Sequence, residues 1–254
     1  MMRRVFLVVA MVGAFVTTFS QKQEVLTEGK IVYEEVIKLN ITLEGEAAQF
    51  ADMLPQEQKS EKVLYFNEAY SLYEKNRAKR SGEDAFKAME SEEMAVHIEV
   101  YEPENKIFKD LKRQEQIEMR EFMGRHFLIT EAFETPVWKF TGKSREILSL
   151  HCMEAFYENE EGKRVVAWFT PEIPVSLGPG NISGLPGMVL AVDINKGEHL
   201  MTAIRIDREK VAKEQLKKPR KGKRVTEEAY RAMVERKMQE MGTQGATQQV
   251  IQIH

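Results

Sequence analysis

The chain has few of the residues that usually announce a chemistry. Its 254 residues include one cysteine, Cys152, two tryptophans and five histidines. A single cysteine excludes an intramolecular disulfide and any cysteine-rich metal cluster, so stability has to come from packing. Strand patterning around Cys152 makes it a small buried hydrophobe rather than a reactive thiol. Positive charge is not in excess either, with 37 Lys+Arg against 40 Asp+Glu and a net charge of −3, which excludes a global attraction for nucleic acid. No internal repeat is present. Composition of 43% hydrophobic and 30% charged residues nevertheless suits one globular domain with a real core and polar extensions.

Only one long apolar run exists, and it stands at the start. Arg3 and Arg4 precede an uncharged stretch from Val5 to Val16, too short to span a bilayer and of the right length for a leader. Thr18 and Ser20 place small residues before a cut at Gln21, while Ala10 and Ala14 leave other sites open. Residues 1–20 are therefore expected to be a signal peptide and the mature chain to carry no transmembrane segment. No cysteine follows the apolar run to accept a lipid.

Gly29 to Leu43 alternates, with Ile31, Tyr33, Ile37, Leu39, Ile41 and Leu43 on one parity, and predicts a long half-buried strand. A short helix over 46–54 should end at Pro55. Strands are expected at 62–66 and 70–73, then at 94–100, where Met94, Val96, Ile98 and Val100 share a face, with a charged loop or weak helix over 75–93 between them. Further strands fall at 107–111, 116–123 (ambiguous with helix) and 127–130. Others fall at 138–140, 147–157 and 164–169, and a hairpin of 188–194 with 199–206 turns over Asn195-Lys196-Gly197. So many short strands without regular helical crossovers predict a mainly β domain over 21–207, an antiparallel sheet curled or closed on itself as a half-barrel. Residues 208–225 read as a basic linker, since Arg205 to Arg224 carries ten Lys/Arg against three Asp/Glu. Thr226 can cap an amphipathic helix over 226–242 with a stripe of Tyr230, Met233, Val234, Met238 and Met241, and 243–254 reads as a flexible tail.

The run from Trp168 to Leu190 differs from everything around it. Pro171, Pro174 and Pro179 lack backbone donors, and Gly178, Gly180, Gly184 and Gly187 admit unusual backbone angles, so no regular element fits. Yet Trp168, Ile173, Val175, Leu177, Ile182, Leu185 and Met188 are too apolar for a solvated loop. The run should be an ordered excursion folded over the sheet, with Glu172 held between two prolines. Its motifs, Ala167-Trp-Phe-Thr-Pro-Glu-Ile-Pro-Val-Ser-Leu-Gly-Pro179 and Gly184-Leu-Pro-Gly-Met-Val-Leu190, closely resemble the GLPGLI family of exported Bacteroidetes proteins. The likeness covers about 135–206, with Met188-Val189 in place of the usual Leu-Ile and Ser149-Leu150 where a Gly-aromatic pair is common. It implies an envelope or periplasmic protein of poorly defined role, with genes often near outer-membrane transport systems. The strand plan is also similar to the curved half-barrels of periplasmic lipoprotein carriers, an architectural likeness alone.

Catalysis finds no support: Ser176 and Ser183 sit in no Gly-x-Ser-x-Gly elbow, and His151 beside Cys152 leaves the opposite face of a strand. No cofactor is expected. The leading expectation is a non-catalytic binding or assembly factor whose curled sheet takes a lipid-like ligand or an outer-membrane partner. Trp168, Pro171, Glu172, Pro174, Gly178, Pro179, Gly184, Leu185, Pro186 and Gly187 would then gate or line the site. The alternative is a copper(I) or other metal site built from His97, Met123, His126 and Cys152, soft ligands that match such an ion. Against it, two intervening residues on a strand put Met and His on opposite faces.

Overall fold

A computed structural model describes residues 25–39, 55–77, 90–91, 94–95, 102–132, 135–159 and 162–243. The expected leader, the helix over 46–54, His97 with its neighbours at 96–100, and the tail beyond 243 lie outside the described residues. In chain order the strands are β1 Gly29–Lys38, β2 Glu57–Phe66, β3 Tyr70–Lys75, β4 Glu90–Ser91, β5 Met94–Ala95, β6 Asn105–Asp110 and β7 Glu115–Phe122. They continue as β8 Arg125–Ala132, β9 Lys139–Ile147, β10 Leu150–Glu158, β11 Arg164–Thr170, β12 Met188–Ile194, β13 His199–Asp207 and β14 Lys223–Val225, followed by helix α1 Glu227–Thr243.

Twelve of these strands form one curled, open sheet in the order β14-β8-β7-β6-β3-β2-β1-β13-β12-β11-β10-β9, and β4 and β5 pair separately. The pairing of β1 with β13 sews the N-terminal half to the C-terminal half, Ile31 opposite Ile206 and Tyr33 opposite Ala203, with a bulge between Val32 and Tyr33. Another bulge lies between Trp168 and Phe169 on β11. Such irregularities bend and twist a strand and help a wide sheet curl without closing. β12 reads Met-Val-Leu-Ala-Val and is buried at all five positions, the mark of a strand covered on both faces.

Two features depart from the expected layout. The 147–157 strand is broken by a two-residue hairpin, Leu148 and Ser149 both standing at positive φ (51° and 61°), which creates the separate strand β9. The 208–225 stretch is more than a linker. Leu216 in the 3₁₀ turn Lys213–Leu216 packs with Leu72 and Phe108, and β14 adds a parallel edge to β8, Lys223 opposite Phe127. The 116–123 piece is strand, not helix.

Helix α1 docks on the β7–β8 end of the sheet. Thr226 Oγ1 accepts the Ala229 N–H at 3.2 Å, capping the first turn. Tyr230 and Val234 are buried with Phe122, Phe127 and Ile129. Arg120 donates two bonds of 3.0 Å to Glu227 and its guanidinium lies 5.2 Å from the centre of the Tyr230 ring. Met233 packs half-buried against the same cluster, whereas Met238 is 40% exposed.

Candidate functional site

The 171–187 excursion is built by its prolines and glycines. Pro171 ends β11 because it cannot donate, and where the next backbone donor or acceptor would face β10, the Glu172 carboxylate accepts the His151 N–H at 2.8 Å instead. Side chains then alternate, with Ile173, Val175 and Leu177 buried and Pro174 and Ser176 exposed. The two legs of the excursion are tied together: Met188 N–H donates to the Ile173 carbonyl at 2.9 Å and Val189 N–H to Leu177 at 2.8 Å, with a bridge between Leu177 and Ser183. Two glycines are obligatory. At Gly184 (φ +88°) a Cβ would stand 1.8 Å from Thr135 Cγ2, and at Gly187 (φ +151°) it would stand 2.1 Å from the Thr170 carbonyl oxygen.

Groups from well-separated strands converge on this short segment. Tyr33 on β1 donates to the Val189 carbonyl at 2.7 Å, Lys109 on β6 to Ile182 at 3.2 Å, Gln116 on β7 to Asn181 Oδ1 at 3.0 Å, and Trp138, just before β9, to Ser183 at 2.9 Å. Strands so distant in sheet order can all reach one segment only if it lies within the curl. Ile173, Val175 and Leu177 join one core cluster with Tyr33, Phe66, Tyr73 and Cys152, and Ile182 and Leu185 join another with Phe169, Val189 and Met201. The expected site residues are therefore divided: Leu185, Gly178, Pro179 and Gly187 are buried, Gly184 is half-buried, and Pro171, Glu172, Pro174 and Pro186 face outward. Trp168 is half-buried beneath the Arg145 guanidinium, 4.2 Å from its ring centre. The segment fills the curl rather than gating an open one.

Sequence reasoning missed a charged cleft of about 350 Å³ at one rim, lined by Glu74, Lys75, Arg77, Glu102, Glu104, Asn105, Lys106 and Glu121. Its members pair: Lys75 with Glu102 at 2.8 Å, Arg77 with Glu104 at 2.6 Å and Lys106 with Glu74 at 2.7 Å. Glu102 also receives Lys62, which in turn lies 3.5 Å from Glu35, itself 2.6 Å from His199. Burial pushes the Glu102 carboxyl up, but Lys62 and Lys75 outweigh it and hold it below the ordinary range. Glu104 is likewise pushed up by burial and drawn below the ordinary range by His126, Lys106 and Arg77. The only advance signal was a scatter of charges; the partners lie as much as 164 residues apart.

Among the described residues, the soft-metal candidates Met123, His126 and Cys152 do not come together. Cys152 lies at 0% exposure on β10, near one edge of the sheet, its thiol donating to the Leu150 carbonyl at 3.5 Å and pushed up by burial to about 11. His126 is on β8 near the other edge. Met123 stands in the β7–β8 turn, 56% exposed at φ 50°. His126 instead faces oxygen donors, with Glu104, Glu121 and His126 atoms all within 4.8 Å of one another. Arg77 and Lys106 already supply positive charge to Glu104 there, which weakens the case for a cation.

Residues 157–191, the end of β10 through most of β12, match the family described as Protein of unknown function (Porph_ging). That stretch contains the whole excursion. No curated protein matches the chain. Among solved structures, the chain is similar to PNGF-II in two crystal forms. One gives a TM-score of 0.54 at 13% identity over 82% of this chain and 33% of that one. The other gives 0.53 at 12% identity over 81% and 32%. The chain spans about a third of the length of these structures. Identity this low shows a shared fold, and it confirms the mainly β, curled architecture.

Proposed function

We infer that this is an exported envelope protein of the GLPGLI type that works without catalysis as a binding or assembly factor, engaging a partner through its outer surface. One observation carries the choice of outer surface: the interior of the curl is occupied by the chain's own residues, with Ile173, Leu177, Leu185 and Met188 at 1% exposure or less. A lipid-like ligand would have to displace them. The Porph_ging match over the excursion and the leader-like start support the family and compartment. Support for a non-catalytic role comes from the fate of the nucleophile candidates: Ser176 Oγ accepts the Gly184 N–H at 3.1 Å, and the Cys152 thiol is buried and raised. Titration of the protein from Gln21 onward with a fluorescent acyl probe tests the reading. No saturable uptake is expected, and stoichiometric uptake reduced by Trp168→Ala would restore the enclosed-ligand alternative.

A further inference from the structure

We propose that the free edge of β9 is a docking site for an extended, acidic segment of a different protein, which would add as a thirteenth strand. This rests on the outer-surface reading above and names the partner's chemistry. β9, Lys139–Ile147, ends the twelve-stranded sheet, and among the described residues nothing pairs with its other side. The opposite end of the sheet is the three-residue β14.

The backbone shows which groups are on offer. Ile147 and Leu150 face each other across the two-residue turn, and Glu146 faces His151. The His151 N–H points away from β9, to Glu172, so in an antiparallel ladder the opposing Glu146 turns its own N–H and C=O outward too, and Ser144 two residues on does the same. The bulge between Met153 and Ala155, with Gly142 at φ 76°, interrupts this pattern and confines the regular edge to about 144–147. Just beyond it, Phe140 is 59% and Val137 84% exposed, apolar surface a bound strand would cover.

Charge selects the occupant. β9 carries Lys139, Lys143 and Arg145 against Glu146. Lys143 keeps 69% exposure while reaching Glu154 at 3.3 Å, and Arg145 lies on Trp168. A second copy pairing through the outward groups about a two-fold axis meets like charge in each register. Centring on Ser144 sets Lys143 against Arg145, centring on Arg145 sets it against itself, and centring on Glu146 does the same for that carboxylate. Lysines on an edge keep copies apart. The same two cations, two residues apart on one face, match carboxylates at alternate positions of an incoming strand.

The test uses the protein from Gln21 onward and a nine-residue peptide alternating Glu and Val. Binding is expected to slow amide exchange at Ser144 and Glu146, to weaken at least tenfold in the Lys143→Glu/Arg145→Glu double variant, and to return in that variant when Lys replaces Glu in the peptide. Intrinsic tryptophan emission checks that the variant keeps its fold. Equal binding of the Glu and Lys peptides by the unaltered protein would overturn the proposal, as would a Ser144→Cys protein that forms a disulfide-linked dimer unaided. Acyl-probe uptake is a separate measurement, so failure of the outer-surface reading and failure of the edge proposal are told apart.

Discussion

Leu185→Ala probes the docked excursion most sharply. Leu185 is 1% exposed and sits in the cluster with Phe169, Val189 and Met201, so truncation removes buried methyl groups and leaves a cavity walled by strands that cannot all collapse. Losses in comparable buried sites run to about 3–5 kcal/mol. The neighbouring Pro186 is exposed, and Pro186→Ala should cost about 1 kcal/mol or less, through the unfolded chain. Urea unfolding followed by tryptophan emission measures both, and Trp138, whose indole donates to the Ser183 carbonyl, reports on the segment directly. A loss below about 1 kcal/mol for Leu185→Ala, equal to the Pro186 control, would refute the docking argument.

Other consequences follow from individual contacts. Gly184→Ala should destabilise by about 1–3 kcal/mol from backbone strain alone, with the Thr135 clash added. Combining it with Thr135→Ser, which removes the clashing Cγ2, should recover part of the loss in a double-mutant cycle. Burial, only partly offset by Glu118, pushes the Lys109 ammonium down to about 7 from its ordinary 10.5. Between those values the unfolded chain holds a proton that the folded chain lacks. Stability should therefore rise with pH across that window, with the penalty fully present below 7. Lys109→Met should flatten that slope and stabilise the protein at pH 6 by at least about 1 kcal/mol, as pH-dependent urea curves would show. Arg120→Ala leaves the buried Glu118 without its 2.7 Å partner and cuts the tie from β7 to Glu227, which keeps only Arg231 of its own helix, so a loss of about 2 kcal/mol or more and a looser α1 in hydrogen exchange are expected. Cys152 should resist a thiol reagent at pH 8 until urea unfolds the chain.

How far the residues foretold this structure varies with the kind of signal. Alternation in Ile31, Tyr33 and Ile37 was sufficient for β1, and the proline/glycine punctuation of 171–187 pointed to ordered irregular chain, because each rests on local backbone physics. The Leu148-Ser149 hairpin escaped because neither residue favours positive φ, so nothing local marked the turn. β14 escaped because Lys223-Arg224-Val225 reads as solvated charge and becomes a strand only where β8 offers an edge. Pairs such as His199 with Glu35, 164 residues apart, form because β13 pairs with β1, and sequence spacing carries no trace of that. The 168–190 run was legible as ordered chain lying on the sheet, but which of its side chains face inward depends on which strands Tyr33, Lys109 and Gln116 occupy in the curl.

Residue-resolved amide exchange of Met188 and Val189 tests the central claim directly. Their N–H groups donate to Ile173 and Leu177 within the excursion. If the segment is part of the core, both amides exchange only through global unfolding, at the rate of Tyr33 on β1. Exchange at the rate of an exposed loop, while Tyr33 stays protected, would contradict the account.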